Sequence, residues 1–493
     1  MRGDWSLPST KPARRQDVNH DIAGHPAIDP LDIQGRIDRL PPSPIMTLYM
    51  VLISLGVFWD TYMLYSIGPL SFHFLASHGQ HVLATRIPTM LFLGTFIGAL
   101  ALGRMADKIG RGRAFTLNLG LLAFGAVAAT LAPLGPVFLL AIFIAGLGTG
   151  AEIPLSVTYM QEIAPSNQRG RMSSLMLTFG FCGGTVGGLL TWWLSRAEHL
   201  PLPGYRIALA IAALGAIVSV FLRLIVPESP RWLERAGRTV EAQAAMKRIE
   251  RAAGGSGAAL GAVASRDARA GAMGLAEEFG STLDLFRTGY LRRTLSAWII
   301  EFFQGFGSYG FTTFVPIILY ARGYTLLHAL GYTALIQISY PVGTYLSSFV
   351  TDRIPRKWGI AGFYLLNMLA GLGFYVSSSS TLVVVFGFLT EMLIFMDGPL
   401  LHTYEAEIYP TPLRGRGSAT AFSVSRLGGF LAPVVAGIVV AQSGTHAAGP
   451  YLIVMAAGSW LLCALVAAVL AVDTSGASLE QLELQAGQTL MRN

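Results

Sequence analysis

The chain has 493 residues, 53% hydrophobic and only 13% charged, with a mean hydropathy of +0.53. A soluble fold of this length needs far more polar surface, so a string of soluble domains is excluded. The formal charge of +7 would suggest nucleic acid in a soluble protein, but here membrane topology accounts for the basic residues and no nucleic-acid partner is expected.

Residues 1–45 are polar and Pro-rich and read as an N-terminal tail without a cleavable leader. A helix crossing about 30 Å of hydrocarbon needs about 20 apolar residues. Twelve blocks qualify, at 46–72, 84–103, 114–132, 136–162, 172–195, 205–226, 293–320, 328–350, 358–377, 380–406, 417–441 and 450–471. The segment 227–290 is too charged to span; it begins helix-like at Glu234–Arg251 and then runs through the flexible Gly254-Gly255-Ser256-Gly257. The expected organisation is a tail (1–45), a six-helix bundle (46–226), a linker with short helices (227–290), a second six-helix bundle (291–472) and a C-terminal tail (473–493). With the two tails, the linker and alternate loops on one side, that side collects thirty Lys and Arg; the other holds Arg86, Arg196, Arg206 and Arg322. The asymmetry puts both termini in the cytoplasm and the chain in an inner or plasma membrane. Cys182 and Cys463 lie in apolar stretches and support neither a disulfide framework nor a metal site.

The two bundles are related by a duplication at a fixed offset of 245 residues. Asp107-Lys108 with Gly110-Arg111 recurs as Asp352-Arg353 with Pro355-Arg356. Glu152, Pro154, Tyr159 and Glu162 recur as Asp397, Pro399, Tyr404 and Glu407, and Arg169-Gly170-Arg171 as Arg414-Gly415-Arg416. Two similar halves around a midplane site can rock about it, exposing it to each side in turn, which favours a carrier over a channel. No nucleophile triad, metal spacing or phosphate loop points to an enzyme, and no cofactor is expected.

These motifs resemble those of the major facilitator superfamily. Gly103-Arg104-Met105-Ala106-Asp107-Lys108 through Gly110-Arg111-Gly112-Arg113 is similar to its loop signature between the second and third helices. Pro227-Glu228-Ser229-Pro230-Arg231-Trp232 resembles the sugar-porter and organic-ion branches. Arg36-Ile37-Asp38-Arg39-Leu40-Pro41 and Glu407-Ile408-Tyr409-Pro410-Thr411 are more similar to metabolite/proton symporters and synaptic-vesicle-like proteins. The resemblance implies an all-α membrane protein, twelve transmembrane helices in two pseudo-symmetric six-helix bundles, working as a monomer on a small molecule with protons as coupling ion. It also implies that helices one, four, seven and ten line the cavity. Sugar porters carry paired glutamines on helix seven, whereas Gln304 stands alone with Thr178 and Thr185 on helix five, which disfavours a hexose. The symporters' second helix-one acid and helix-four arginine are replaced by Met63 and Ile142.

At the loop ends, Gly103, Asp107, Glu162, Glu228, Asp352 and Glu407 with Arg111, Arg113, Arg169, Arg231, Arg353 and Arg414 are expected to form a cytoplasmic gate. Its ion pairs would latch the halves while the site faces outward; partly solvated pairs of about 0–1 kcal/mol each can release. Within the membrane an ionisable side chain costs at least about 2.5 kcal/mol, so each is a functional candidate. Asp60, Glu152, Glu301, Gln304, Asp397, His402 and Arg426 are the candidates for substrate contact or proton coupling. Asp60, unrepeated in the other half, is the leading proton carrier, and Arg426 suits a substrate carboxylate or neutralises an acid. Glu152 and Asp397 are repeat partners, which equally fits a structural or gating role. Glu391 lies about 120° around the helix from Asp397, and Asp397 is preferred for the cavity. The expected activity is proton-coupled uptake of a small organic acid, with organic-cation efflux and passive transport as rivals and a transporter-derived receptor as a more distant one.

Overall fold

The computed structural model describes residues 33–78, 81–165, 168–196, 200–253, 282–286, 288–351, 353–409, 411–444 and 447–474. Every regular element among them is helical. The first half comprises α1 (Ile33–Asp38), α2 (Pro44–His78), α3 (His81–Ile109), α4 (Arg111–Leu131), α5 (Pro136–Thr149), α6 (Glu152–Ile163), α7 (Arg169–Leu194) and α8 (Gly204–Arg223). Linker helices α9 (Pro230–Arg235) and α10 (Thr239–Ala252) follow. The second half comprises α11 (Thr288–Ala321), α12 (Leu326–Ile336), α13 (Ser339–Val350), α14 (Arg356–Val376), α15 (Ser380–Glu407), α16 (Thr411–Ser443) and α17 (Gly449–Leu470).

Ten of the described spans are long and apolar enough to cross a membrane. The other two crossings are α11, whose 34 residues reach about 51 Å, and the broken pair α12–α13. Both are diluted by polar residues such as Glu301, Gln304, Thr312 and Gln337 that face protein rather than lipid. The fourth crossing also breaks, between α5 and α6 at Gly150-Ala151. Pro154 then falls in the first turn of α6, where a missing N–H leaves no helical bond unmade. Its repeat partner Pro399 sits inside the continuous α15.

Packing follows the duplication. In the first half α2 packs on α7, α3 on α5, and α4 on α5 and α8. In the second, α11 packs on α16, α13 on α15, and α14 on α15 and α17. The contacts between halves are exchanged in the same way: α3 meets α16, and α13 meets α7.

On the face rich in Lys and Arg, called here the basic face, α1, α9 and α10 seat beneath the first half. Ile33, Ile37, Trp232, Met246 and Ile249 share one buried cluster with Leu155, Tyr159 and Met160, and Arg36 pairs with Glu250 at 2.6 Å. The Glu228 carboxylate accepts the backbone N–H groups of Arg111 at 2.9 Å and Gly112 at 3.0 Å. It thereby satisfies donors that the start of α4 leaves open. Trp232 Nε1 donates to the Asp107 carbonyl at 2.9 Å. Gly110, between them, has φ of +100°, and the Trp232 ring lies 3.1 Å from where a Cβ would stand.

Gly110→Ala therefore meets both an essentially glycine-only backbone region, about 1–3 kcal/mol, and the Glu228 and Trp232 side chains. It is expected to lower the melting temperature of purified protein. Gly103→Ala, with open space around it in this conformer, is expected to be neutral or to stabilise by about 0.5–1 kcal/mol. Equal shifts for the two variants would contradict this reading of the loop.

Candidate transport site

The midplane site forms where α2 of one half faces α11 and α16 of the other. Asp60, near the middle of α2, is 1% exposed, and neither carboxylate oxygen has a hydrogen-bond partner. Arg426 on α16 is equally buried and lies within electrostatic reach of it, without an ion pair between them. The Arg426 guanidinium donates to the Tyr309 hydroxyl of α11 and lies over the rings of Phe422 at 4.7 Å and Tyr309 at 5.1 Å. Its Nε has no partner. The aromatic faces hold the guanidinium in place while leaving hydrogen-bonding capacity. Gln304 accepts from Ser425 at 2.9 Å beside this group.

Glu152 is turned inward to its own half. It pairs with Arg223 of α8 at 2.5 Å, both about 5% exposed or less, and sits 3.4 Å from Asn118 Nδ2. Arg223 also donates to the Ile53 carbonyl at 2.6 Å and covers the Phe115 ring at 3.8 Å. Gly56 of α2 makes this approach possible, since a Cβ there would strike both charged groups. Glu152 is thus neutralised by Arg223, which lies within the sixth apolar block, 205–226. Asp397 on α15 is buried as well. It lies beside Tyr364 of α14 without a well-formed hydrogen bond, with Glu301, His402 and Cys463 as further neighbours. Position 468, the repeat counterpart of Arg223, is Ala468, so the ion pair of the first half has no copy. Glu391 accepts from Thr312 at 3.1 Å.

The halves also meet near the middle of their helices. Tyr65 of α2, Phe181 of α7, Tyr340 of α13 and Phe395 of α15 form an aromatic layer with ring centroids 4.2–6.4 Å apart. Beside it, at the break between α12 and α13, Gln337 Nε2 donates to the Tyr65 carbonyl at 3.1 Å. The Gln337 backbone carbonyl accepts from the Tyr340 N–H at 3.2 Å and from the Thr185 hydroxyl at 2.6 Å. Gln337 is not singled out by the sequence, where Thr185 enters only as part of the departure from the sugar-porter pattern.

Toward the basic face the described ion pairs each join residues of one half. Arg111 holds Glu162 at 3.0 Å and Asp107 at 2.7 Å; its repeat copy, Arg356 with Glu407, is at 3.2 Å. Arg353, expected in the gate, is exposed, and Arg356, the repeat counterpart of Arg111, makes the pair. Arg231 donates to the Gln161 carbonyl at 3.0 Å, and burial, with Arg169 nearby, pushes its pKa down to about 10. Arg113 is exposed. Asp352 and the Arg414 side chain lie outside the described residues. His402 is 45% exposed and contacts Glu301 at 3.8 Å and Glu405 at 3.4 Å. Glu405, buried on α15, was also not singled out from sequence.

Two pseudo-symmetric bundles enclosing a midplane site define a secondary transporter of the major facilitator superfamily, which is not an enzyme. Residues 47–485 match the family model described as sugar (and other) transporter, and the chain belongs to that family. It is 27% identical to the metabolite transport protein YyaJ of Bacillus subtilis, over 88% of this chain and 93% of that one. It is 28% identical to the niacin transporter NiaP of Acinetobacter baylyi, over 92% and 100%. Among solved structures, the proton:xylose symporter XylE bound to 6-bromo-6-deoxy-D-glucose superposes with a TM-score of 0.68 at 20% identity, covering 89% of this chain and 98% of that one.

Arg223→Leu, which strands Glu152, is expected to cost about 3–5 kcal/mol of stability. Adding Glu152→Leu should recover most of it, because no unpaired charge remains. Thermal unfolding of the single and double variants checks this; a double variant no more stable than the single one would contradict the pairing.

Proposed function

We propose that this transporter imports a small organic acid, with a ring-bearing monocarboxylate the best fit, in exchange for the energy of a proton gradient. The observation that carries the proposal is the pairing of two incomplete charges across the moving interface. Arg426 has a free Nε between aromatic faces, and Asp60 has two unpartnered oxygens opposite it. A carboxylate can take the guanidinium bidentately, while Tyr309 and Phe422 offer ring faces for stacking. Likeness to a niacin transporter, whose cargo is a carboxylate on an aromatic ring, supports the same class. Asp60 is the proposed proton carrier.

The thirty-to-four bias in basic residues supports assigning the basic face to the cytoplasm. The conformer is then inward-facing, with the aromatic layer and Gln337 holding the halves together near the midplane. The intra-half pairs Arg111–Glu162 and Arg356–Glu407 would face each other when the cytoplasmic side closes, with Asp107, Glu228, Arg113, Arg169, Arg231, Arg353 and Arg414 around them. The surplus of membrane acids gives organic-cation transport its one supporting observation.

Proteoliposome uptake separates these readings, with pyridine-3-carboxylate, its amide and a quaternary amine as probes. Arg426→Gln is expected to weaken the carboxylate by about 10–100-fold, the worth of a charge-assisted hydrogen bond, and to leave the amide nearly unchanged. Asp60→Asn should abolish pH-driven accumulation while keeping exchange. Uptake of the amine alone, or accumulation that survives Asp60→Asn, would overturn the proposal.

A further inference from the structure

A second cluster, which shares only the Phe422 ring and the Ser425–Tyr309 border with the Arg426 site, is used by none of the steps above. Glu301 of α11 meets His402 and Glu405 of α15, the latter two one turn apart on one helix face. Their ligand atoms all lie within 4.8 Å of one another. Both carboxylates are 1% exposed, and each keeps an Oε1 without a hydrogen-bond partner; that of Glu301 points to His402 Nδ1. The other described groups within reach of the cluster are Ser425 of α16, Asp397 of α15, Tyr309, Tyr364, Tyr409 and Cys463, with the Phe422 ring 5.8 Å from the imidazole. None of these is a cation. Among the described residues, the two buried carboxylates thus make no ion pair with a Lys or Arg, and the remaining ligand, His402, is open on one side.

We propose that Glu301, His402 and Glu405 form a binding site for one divalent first-row transition cation, such as Zn2+, entered from the basic-face vestibule past His402. Ligands 2.0–2.2 Å from a tetrahedral ion stand about 3.3–3.6 Å apart. The His402–Glu405 and His402–Glu301 separations of 3.4 and 3.8 Å come close to that edge without rearrangement. Two carboxylates balance the charge of the ion, the imidazole nitrogen favours zinc-like ions over magnesium, and the exposed side of His402 leaves a fourth position for water. The ion would tie α11 to α15 one turn beyond Pro399, inside the second half, and does not depend on which substrate is carried.

The test is titration of chelator-stripped, tag-free full-length protein with Co2+, followed by visible absorption and bound-metal analysis. The expected result is one Co2+ per chain, displaced by Zn2+ but not by Mg2+, with Glu405→Gln and His402→Asn each weakening binding at least about tenfold. His402 is exposed, so its variant carries the test if Glu405→Gln fails to fold. Equal binding in wild type and His402→Asn places the ion elsewhere and overturns the proposal. So does an absence of Co2+ binding, whether or not a pH-dependent melting shift lost in Glu405→Gln shows that the carboxylates share a proton only.

Discussion

A charge inside the bilayer must find a partner, and how each one does so organises this molecule. Glu152 and Arg223 solve the problem permanently: a 2.5 Å pair, closed over by Gly56 and Phe115, fixes α2, α4, α6 and α8 as one body. Asp60 and Arg426 leave it unsolved in this conformer. They stand on different halves, near enough to feel each other and too far to pair. A charge satisfied within a half makes that half rigid; charges left open between halves give a ligand or a proton something to change.

The duplicated architecture turns that local state into movement. The α3–α16 and α7–α13 contacts are exchanged by the pseudo-dyad, so rocking can proceed about either seam. Near the midplane the halves are joined by ring contacts and by the Gln337 clasp at a helix break. The matched Arg111–Glu162 and Arg356–Glu407 pairs survive within each half, and so are available to meet across the interface in the opposite state. Divergence between the halves falls where specificity is expected: Asp60, Arg426, Glu301 and His402 have no ionisable repeat counterparts.

Much of this was legible in the sequence. Apolar block length yields the crossings, and the offset of 245 residues yields two bundles. Taken one step further, the offset also predicts Arg356–Glu407 from Arg111–Glu162, a pairing that attention to Arg353 obscured. What stayed hidden depends on distance between elements. Arg223 looks like a loop residue at the end of an apolar block, and only the packing of α8 on α4 brings it to Glu152. Glu405 sits near a helix end, where a carboxylate is ordinary until Glu301 is found against it. Gln337 gains its role from a helix break that periodicity does not reveal. The fold rests on local hydropathy and a repeat, which sequence records directly, whereas the site rests on which helix faces meet.

The central claim is that a ligand on Arg426 and a proton on Asp60 together decide which side is open. Spin labels at Gln161→Cys and Ala419→Cys, both exposed near the basic ends of opposite halves, in a Cys182→Ser background, read this as a distance by double electron–electron resonance. Acid pH together with a carboxylate ligand should shift the distribution to a shorter distance, and Arg426→Gln should remove the shift. A single distance indifferent to pH and ligand, or a shift that persists in Arg426→Gln, would contradict the account.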